Sequence, residues 1–171
     1  MATKTTMDEI AKYIHKAKGV LYYYFKSKEE LFNEVLKQEL SNAKIELSKI
    51  VNSEMDFLSI MKQYFLMRLK LLSKASNYHE TLKADFFEKY YFVKDVRDDF
   101  FEFERVQLTY ILNKGKNEGY DIKDINSTVS ILLMIENGIE IPLYLQNKYE
   151  EYESTINDLV SMIANSMKHK A

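Results

Sequence analysis

At 171 residues, with 46% hydrophobic and 29% charged side chains, the chain is long and apolar enough for a packed core, which excludes a disordered polymer. Four Gly and one Pro leave little room for the turns of an all-β fold and favour long helices. The net charge of −2 excludes a globally basic polyanion binder, so any nucleic-acid contact must rest on a local patch.

The absence of Cys removes disulfides and thiolate chemistry and fits a reducing cytoplasm. Met1-Ala2-Thr3-Lys4 has no apolar run of the signal-peptide kind. No stretch is expected to approach the roughly 18 to 20 apolar residues of a bilayer span. These features predict a cytoplasmic protein without membrane contact.

In chain order, Thr6-Met7-Asp8-Glu9 reads as a capping box. Met7, Ile10, Ala11 and Ile14 follow on one helical face, and His15-Lys16 interrupts it. A second short helix is predicted over about 17–25, with Leu21 and Phe25 one turn apart. Ser27-Lys28-Glu29-Glu30 is a second capping box. It opens a long helix ending near Val51, with the stripe Phe32, Leu36, Leu40, Ala43, Leu47 and Ile50. From Lys12 to Lys28 there are five Lys and no acid, the one credible window for a polyanion.

Ser53-Glu54-Met55-Asp56 is expected to cap a helix carrying Phe57, Ile60, Met61, Tyr64, Phe65, Arg68 and Leu72. A shorter aromatic helix is predicted from Asn77 to Tyr91, and a longer one from about Val93 to Glu118, terminated by Gly119. Acids dominate from Asp95 to Glu104, which predicts a solvated face. Asp124 or Asn126 opens a helix whose run Ile131 to Ile135 is apolar all round, so its own domain can cover only one side. Pro142 should kink or end it. The last helix, about 150–168, carries Tyr152, Ile156, Leu159, Val160, Ile163 and Met167.

Two short helices on a minimal turn, the second basic and aromatic, make a helix-turn-helix. A helix enters the major groove only if one face is anchored and the other offers groups for phosphates and base edges. Leu21 and Phe25 supply the anchor; Lys18, Val20, Tyr22, Tyr23 and Lys26 supply the outward set. Lys28 sits in the first turn of the long helix, where the macrodipole disfavours a cation unless a phosphate binds there.

Thr5-Thr6-Met7-Asp8-Glu9-Ile10-Ala11-Lys12, Lys18-Gly19-Val20-Leu21-Tyr22-Tyr23-Tyr24-Phe25 and Lys26-Ser27-Lys28-Glu29-Glu30-Leu31-Phe32 together resemble the DNA-binding signature of the TetR family. The resemblance implies an all-α fold: an N-terminal helix-turn-helix module, residues 1–44, then a C-terminal helical effector-binding and dimerisation domain, residues 45–171. It implies that Thr6 and Lys28 meet phosphates, that Lys18, Val20, Tyr22 and Tyr23 face DNA, and that Phe25 is core. The family usually has Gly in the turn, where this chain has His15; an apolar residue next, where it has Lys16; and Ser or Thr opening the recognition helix, where Ala17 cannot cap, a loss of about 1 kcal/mol. The family also has a helix ahead of the motif. Without it, Leu21, Phe32 or Leu36 should be partly uncovered.

The expected function is a ligand-responsive transcriptional regulator, a repressor binding a palindromic operator as a homodimer. The alternative is a dimeric helical sensor with impaired or lost DNA binding. An effector site is expected among Tyr64, Met67, Arg68, Phe86, Phe87, Tyr90, Phe103, Gln107 and Tyr110, suited to a small lipophilic or aromatic ligand. A dimer interface is expected on the last two helices, at Ile131, Leu132, Ile135, Ile139, Ile156, Leu159, Val160 and Ile163. His79, Asp85 and Glu88 match no standard metal spacing, and no phosphate loop or nucleophile elbow stands out. No catalytic residue, metal or cofactor is expected.

Overall fold

The computed structural model describes residues 5–83 and 93–168. Their regular structure is all helical, with no strand among them. The elements are α1 (Met7–Tyr13), α2 (Lys18–Tyr24), α3 (Lys28–Val51), α4 (Phe57–Leu72), α5 (Ser76–Glu80), α6 (Lys94–Asn117), α7 (Ile125–Glu140), a short π-helical segment (Ile141–Leu145) and α8 (Tyr149–Ser166).

The caps explain the boundaries. Thr6 and Glu9 form the reciprocal capping box: Oγ1 accepts from the Glu9 amide at 3.2 Å, and the Glu9 carboxylate accepts from the Thr6 amide at 2.7 Å. At the second box, Ser27 accepts from the Glu30 amide at 3.1 Å, but the Glu30 carboxylate takes the amide of Lys26, not that of Ser27. Asp56, not Ser53, caps α4, and Ser53 instead donates to the Ile50 carbonyl. Asp124 opens α7. His15 occupies the left-handed region at φ 54°, where Gly avoids the cost. Gly119, at φ 92°, closes α6: its amide bonds Lys116 and that of Tyr120 bonds Gly115, a Schellman arrangement.

The expected helix from Asn77 to Tyr91 is shorter than anticipated. Its described part, α5, ends at Glu80, and residues 84–92 lie outside the described residues. At Pro142 the α-helical ladder gives way to the π-helical segment, closed by the Gln146 amide on the Ile141 carbonyl, as a missing proline N–H requires.

Two apolar clusters form. Met7, Ala11 and Leu21 make the small one, with Ile10, Phe25 and Leu31 against it. The large one draws on α3 to α8 and begins at Leu36 on α3. There α3 packs on α4, α5 and α6, α6 on α4 and α7, and α4 on α8. Leu36, Leu47, Phe57 and Leu108 are fully buried, each such side chain contributing about 1.5–3 kcal/mol. Of the three side chains expected to be uncovered, Leu21 and Leu36 are buried and Phe32 is half-buried. An open apolar groove of about 470 Å³ nevertheless runs past Ile10, Ile14, Leu21, Phe25, Phe32 and Val35.

One expectation about apolar runs needs correction. Ile125–Leu145 is long and apolar enough by composition to cross a membrane. Within the fold it packs on α6, and its Glu136 and Glu140 are buried against Arg68. One face of it is thus core, while Ile131, Met134 and Ile141 stay exposed.

Candidate functional site

Helix α2 is anchored on one side and open on the other. Leu21 is buried and Phe25 half-buried, while Val20, Tyr22 and Tyr23 are exposed, Tyr23 by 83%. Lys18 is already engaged: its Nζ lies 2.7 Å from Asp8 and 5.6 Å from the Tyr22 ring centroid. The hydrogen bond that it donates to Asp8 holds the Lys18 ammonium above its ordinary pKa. Lys26 and Lys28 have no ion-pair partner among the described residues. The Thr6 hydroxyl donates to Glu9 at 3.0 Å, so a phosphate would have to compete with Glu9 for that proton.

The expected effector residues divide. Tyr64 and Arg68 are fully buried; Met67, Phe103 and Gln107 are half-buried; Tyr110 is 56% exposed. Phe86, Phe87 and Tyr90 lie outside the described residues, as do Asp85 and Glu88. His79 accepts no metal-like company: its Nε2 is 2.7 Å from the Leu72 carbonyl and its ring stacks on Tyr144.

Around Arg68 lies a polar centre that the sequence reading missed. Its guanidinium bonds Glu104 through Nε and Nη2, the latter at 3.1 Å, and Glu140 through Nη2 at 2.9 Å. Glu136 stands 3.5 Å from Nε. Tyr78 donates its hydroxyl to Glu140 at 2.8 Å. Arg68, Glu104, Glu136 and Glu140 are all buried; Asp95, Asp98, Asp99 and Glu102 form the solvated acidic face expected on α6, and Glu104 alone departs from it. Burial works against the charge on Arg68, but Glu104, Glu136 and Glu140 outweigh it and hold its pKa well above the ordinary value. Burial raises Glu104 despite the pull of Arg68. Glu136 is pushed up to about 8, first by burial and then by Glu104 and Glu140, against Arg68.

This centre is tied to the long helix. The Glu39 carboxylate on α3 accepts from the Asn77 side chain at 2.7 Å and from the Tyr78 amide at 3.1 Å, capping α5, which itself lacks a side-chain cap.

On the last two helices, Leu132, Ile156 and Val160 are buried in the chain's own core, and Ile135, Ile139, Leu159 and Ile163 are half-buried. The large apolar side chains left outward are Ile131, Met134 and Ile141 on α7 and its continuation, and Met162 on α8, with Met134 exposed by 75%.

Residues 2–35, which include α1, α2 and the start of α3, match the family model for bacterial regulatory proteins, tetR family. The chain is 28% identical over 150 residues to the HTH-type transcriptional regulator QacR of Staphylococcus aureus, covering 84% of this chain and 77% of that one. Over the N-terminal segment, residues 2–35, the chain is similar to the TetR family. Its fold is shared with solved transcriptional regulators. It superposes on a transcriptional regulator from Cytophaga hutchinsonii with TM-score 0.76 at 24% identity, covering 97% and 89% of the two chains. It superposes on the regulator FadR from Bacillus subtilis, solved in complex with stearoyl-CoA, with TM-score 0.73 at 15% identity, covering 99% and 90%. The matched region includes the basic, aromatic face of α2.

Proposed function

We propose that the chain is an effector-responsive repressor that binds a palindromic operator as a homodimer in the cytoplasm. The observation that carries this reading is the outward set of α2, with Val20, Tyr22 and Tyr23 exposed around an anchored Leu21. Val20 and Tyr23 would read base edges; Lys18, Lys26, Lys28, Thr6 and Tyr22 would hold phosphates. The module over residues 1–44 acts as reader and residues 45–171 as effector and dimerisation domain; Met7, Ala11 and Leu21 form an apolar cluster of the reader's own, while the large cluster reaches into the reader's α3 from Leu36. Tyr64, Met67, Arg68, Phe103 and Gln107, with Phe86, Phe87, Tyr90 and Tyr110, form the effector region. The subunits would meet through the outward face of α7 and α8 at Ile131, Met134 and Met162.

In this reading α3 transmits the signal, because it starts beside the reader and packs on α4, α5 and α6. Effector binding shifts a pre-existing equilibrium between dimers whose reader helices fit successive major grooves and dimers whose helices do not. The test is a gel-shift of the chain with its own upstream DNA. A salt-dependent, sequence-selective complex is expected. No complex at low salt would favour a sensor without DNA function.

A further inference from the structure

Among the described residues, five buried side-chain polar atoms lack a hydrogen-bond partner. Four of them are both carboxylate oxygens of Glu136, Nη1 of Arg68 and the hydroxyl of Tyr64; the fifth belongs to Asn33. Folded interiors pair nearly all such groups, so four in one neighbourhood mark a place built for something else. The charges point the same way. One guanidinium faces three carboxylates, and its Nε and Nη2 are already committed to Glu104 and Glu140. Glu136 shares that single guanidinium, at 3.5 Å from its Nε, and has no hydrogen-bond donor on either oxygen.

We propose that Glu136 is the binding residue for an organic cation bearing N–H donors, an amine or amidine on an apolar skeleton. This deepens the reading of the chain as an effector-responsive regulator, on which it rests. The ammonium would supply the missing positive charge, and its N–H groups would reach the two free carboxylate oxygens. An anionic ligand head would add like charge to a site already rich in it. A metal ion fits poorly: no His, Asp or Glu group among the described residues has metal-binding geometry, and Arg68 occupies the place between Glu104 and Glu140.

Protons take part. The groups facing Glu136 are Arg68 and Tyr64 from α4, Glu104 from α6, Glu140 from α7 itself, Tyr78 from α5 beside Glu140, and Tyr144 from the π-helical segment. Their balance, with burial, places the Glu136 carboxyl at about 8. Near neutral pH the carboxyl holds a proton, and arrival of a cation releases that proton to solvent.

The experiment is calorimetric titration of the full chain with phenylalkyl amines, each matched by the alcohol and the carboxylate on the same skeleton. Two buffers of different ionisation enthalpy are used below pH 8. The amine should bind about tenfold or more tightly than its alcohol, release a proton, and lose that advantage in Glu136→Gln. Equal binding of amine and alcohol, binding of neither, or an advantage surviving in Glu136→Gln would overturn the proposal. If Glu136→Gln does not fold, the wild-type buffer comparison decides: amine binding without proton release overturns it. A preference for the amine in a chain that never binds DNA would count against the regulator reading alone.

Discussion

The carboxylate of Glu39 accepts the backbone amide of Tyr78 at 3.1 Å, and the Tyr78 hydroxyl donates to Glu140 at 2.8 Å. One residue of α5 thus joins α3, whose first turn lies beside the reader, to the buried charges around Arg68. Tyr78→Phe removes the hydroxyl and leaves Glu140 with Arg68 as its donor. We expect a loss of about 1–3 kcal/mol in chemical denaturation. We also expect a smaller change in operator affinity on adding effector. Full coupling in a folded Tyr78→Phe protein would show that the signal runs elsewhere.

The Lys18–Asp8 ion pair sets an expectation of opposite sign. Asp8 holds the Lys18 ammonium at 2.7 Å, so DNA must win it from a carboxylate. Asp8→Asn should tighten DNA binding, and Lys18→Ala or Lys28→Ala should weaken it on all sequences while lowering the salt slope by about one each. Salt titrations of the three variants check this. A weaker complex with Asp8→Asn would mean that the pair orders α2 for binding.

Stability should depend on pH through Glu136. Its folded value of about 8 lies above the ordinary 4.5, so between them the folded chain holds a proton that the unfolded chain has lost. The stabilisation is complete below 4.5 and declines as pH rises through about 8. Glu104, also raised by burial, adds slope of the same sign. Melting temperature should therefore fall over this window, and fall less in Glu136→Gln. A flat wild-type profile would contradict the raised carboxyl.

Much of this was legible in the sequence, for local reasons. Thr6, Ser27, Asp124 and Gly119 act within one turn of themselves, and each stands where its helix boundary was read. The polar centre was not read, although its signal is present. Glu104 shares a stripe with Phe100, Leu108 and Ile111, and Glu136 shares one with Val129, Leu132 and Leu133. A lone acid on an apolar stripe suggests a side chain reaching for solvent. Only the packing of α4, α6 and α7 shows that these carboxylates meet Arg68. Glu30 escaped for a related reason: a flexible carboxylate can reach either of two adjacent amides, and here it takes Lys26.

Tight packing at the junction of α4 and α6 gives another check. A Cβ on Gly115 would come within 2.7 Å of the Phe57 ring, and Phe57 is fully buried. Gly115→Ala should cost about 1–3 kcal/mol through overpacking, read by urea denaturation. An unchanged midpoint would mean that the ring can move aside.

The central claim is that α2 reads DNA as one half of a symmetric pair. Selection of bound duplexes from a random pool tests it most directly. The account predicts enrichment of an inverted repeat whose half-sites lie about one helical turn apart, with altered preference after Val20→Ala or Tyr23→Ala. A pool that shows no enriched sequence after repeated rounds at low salt would contradict it.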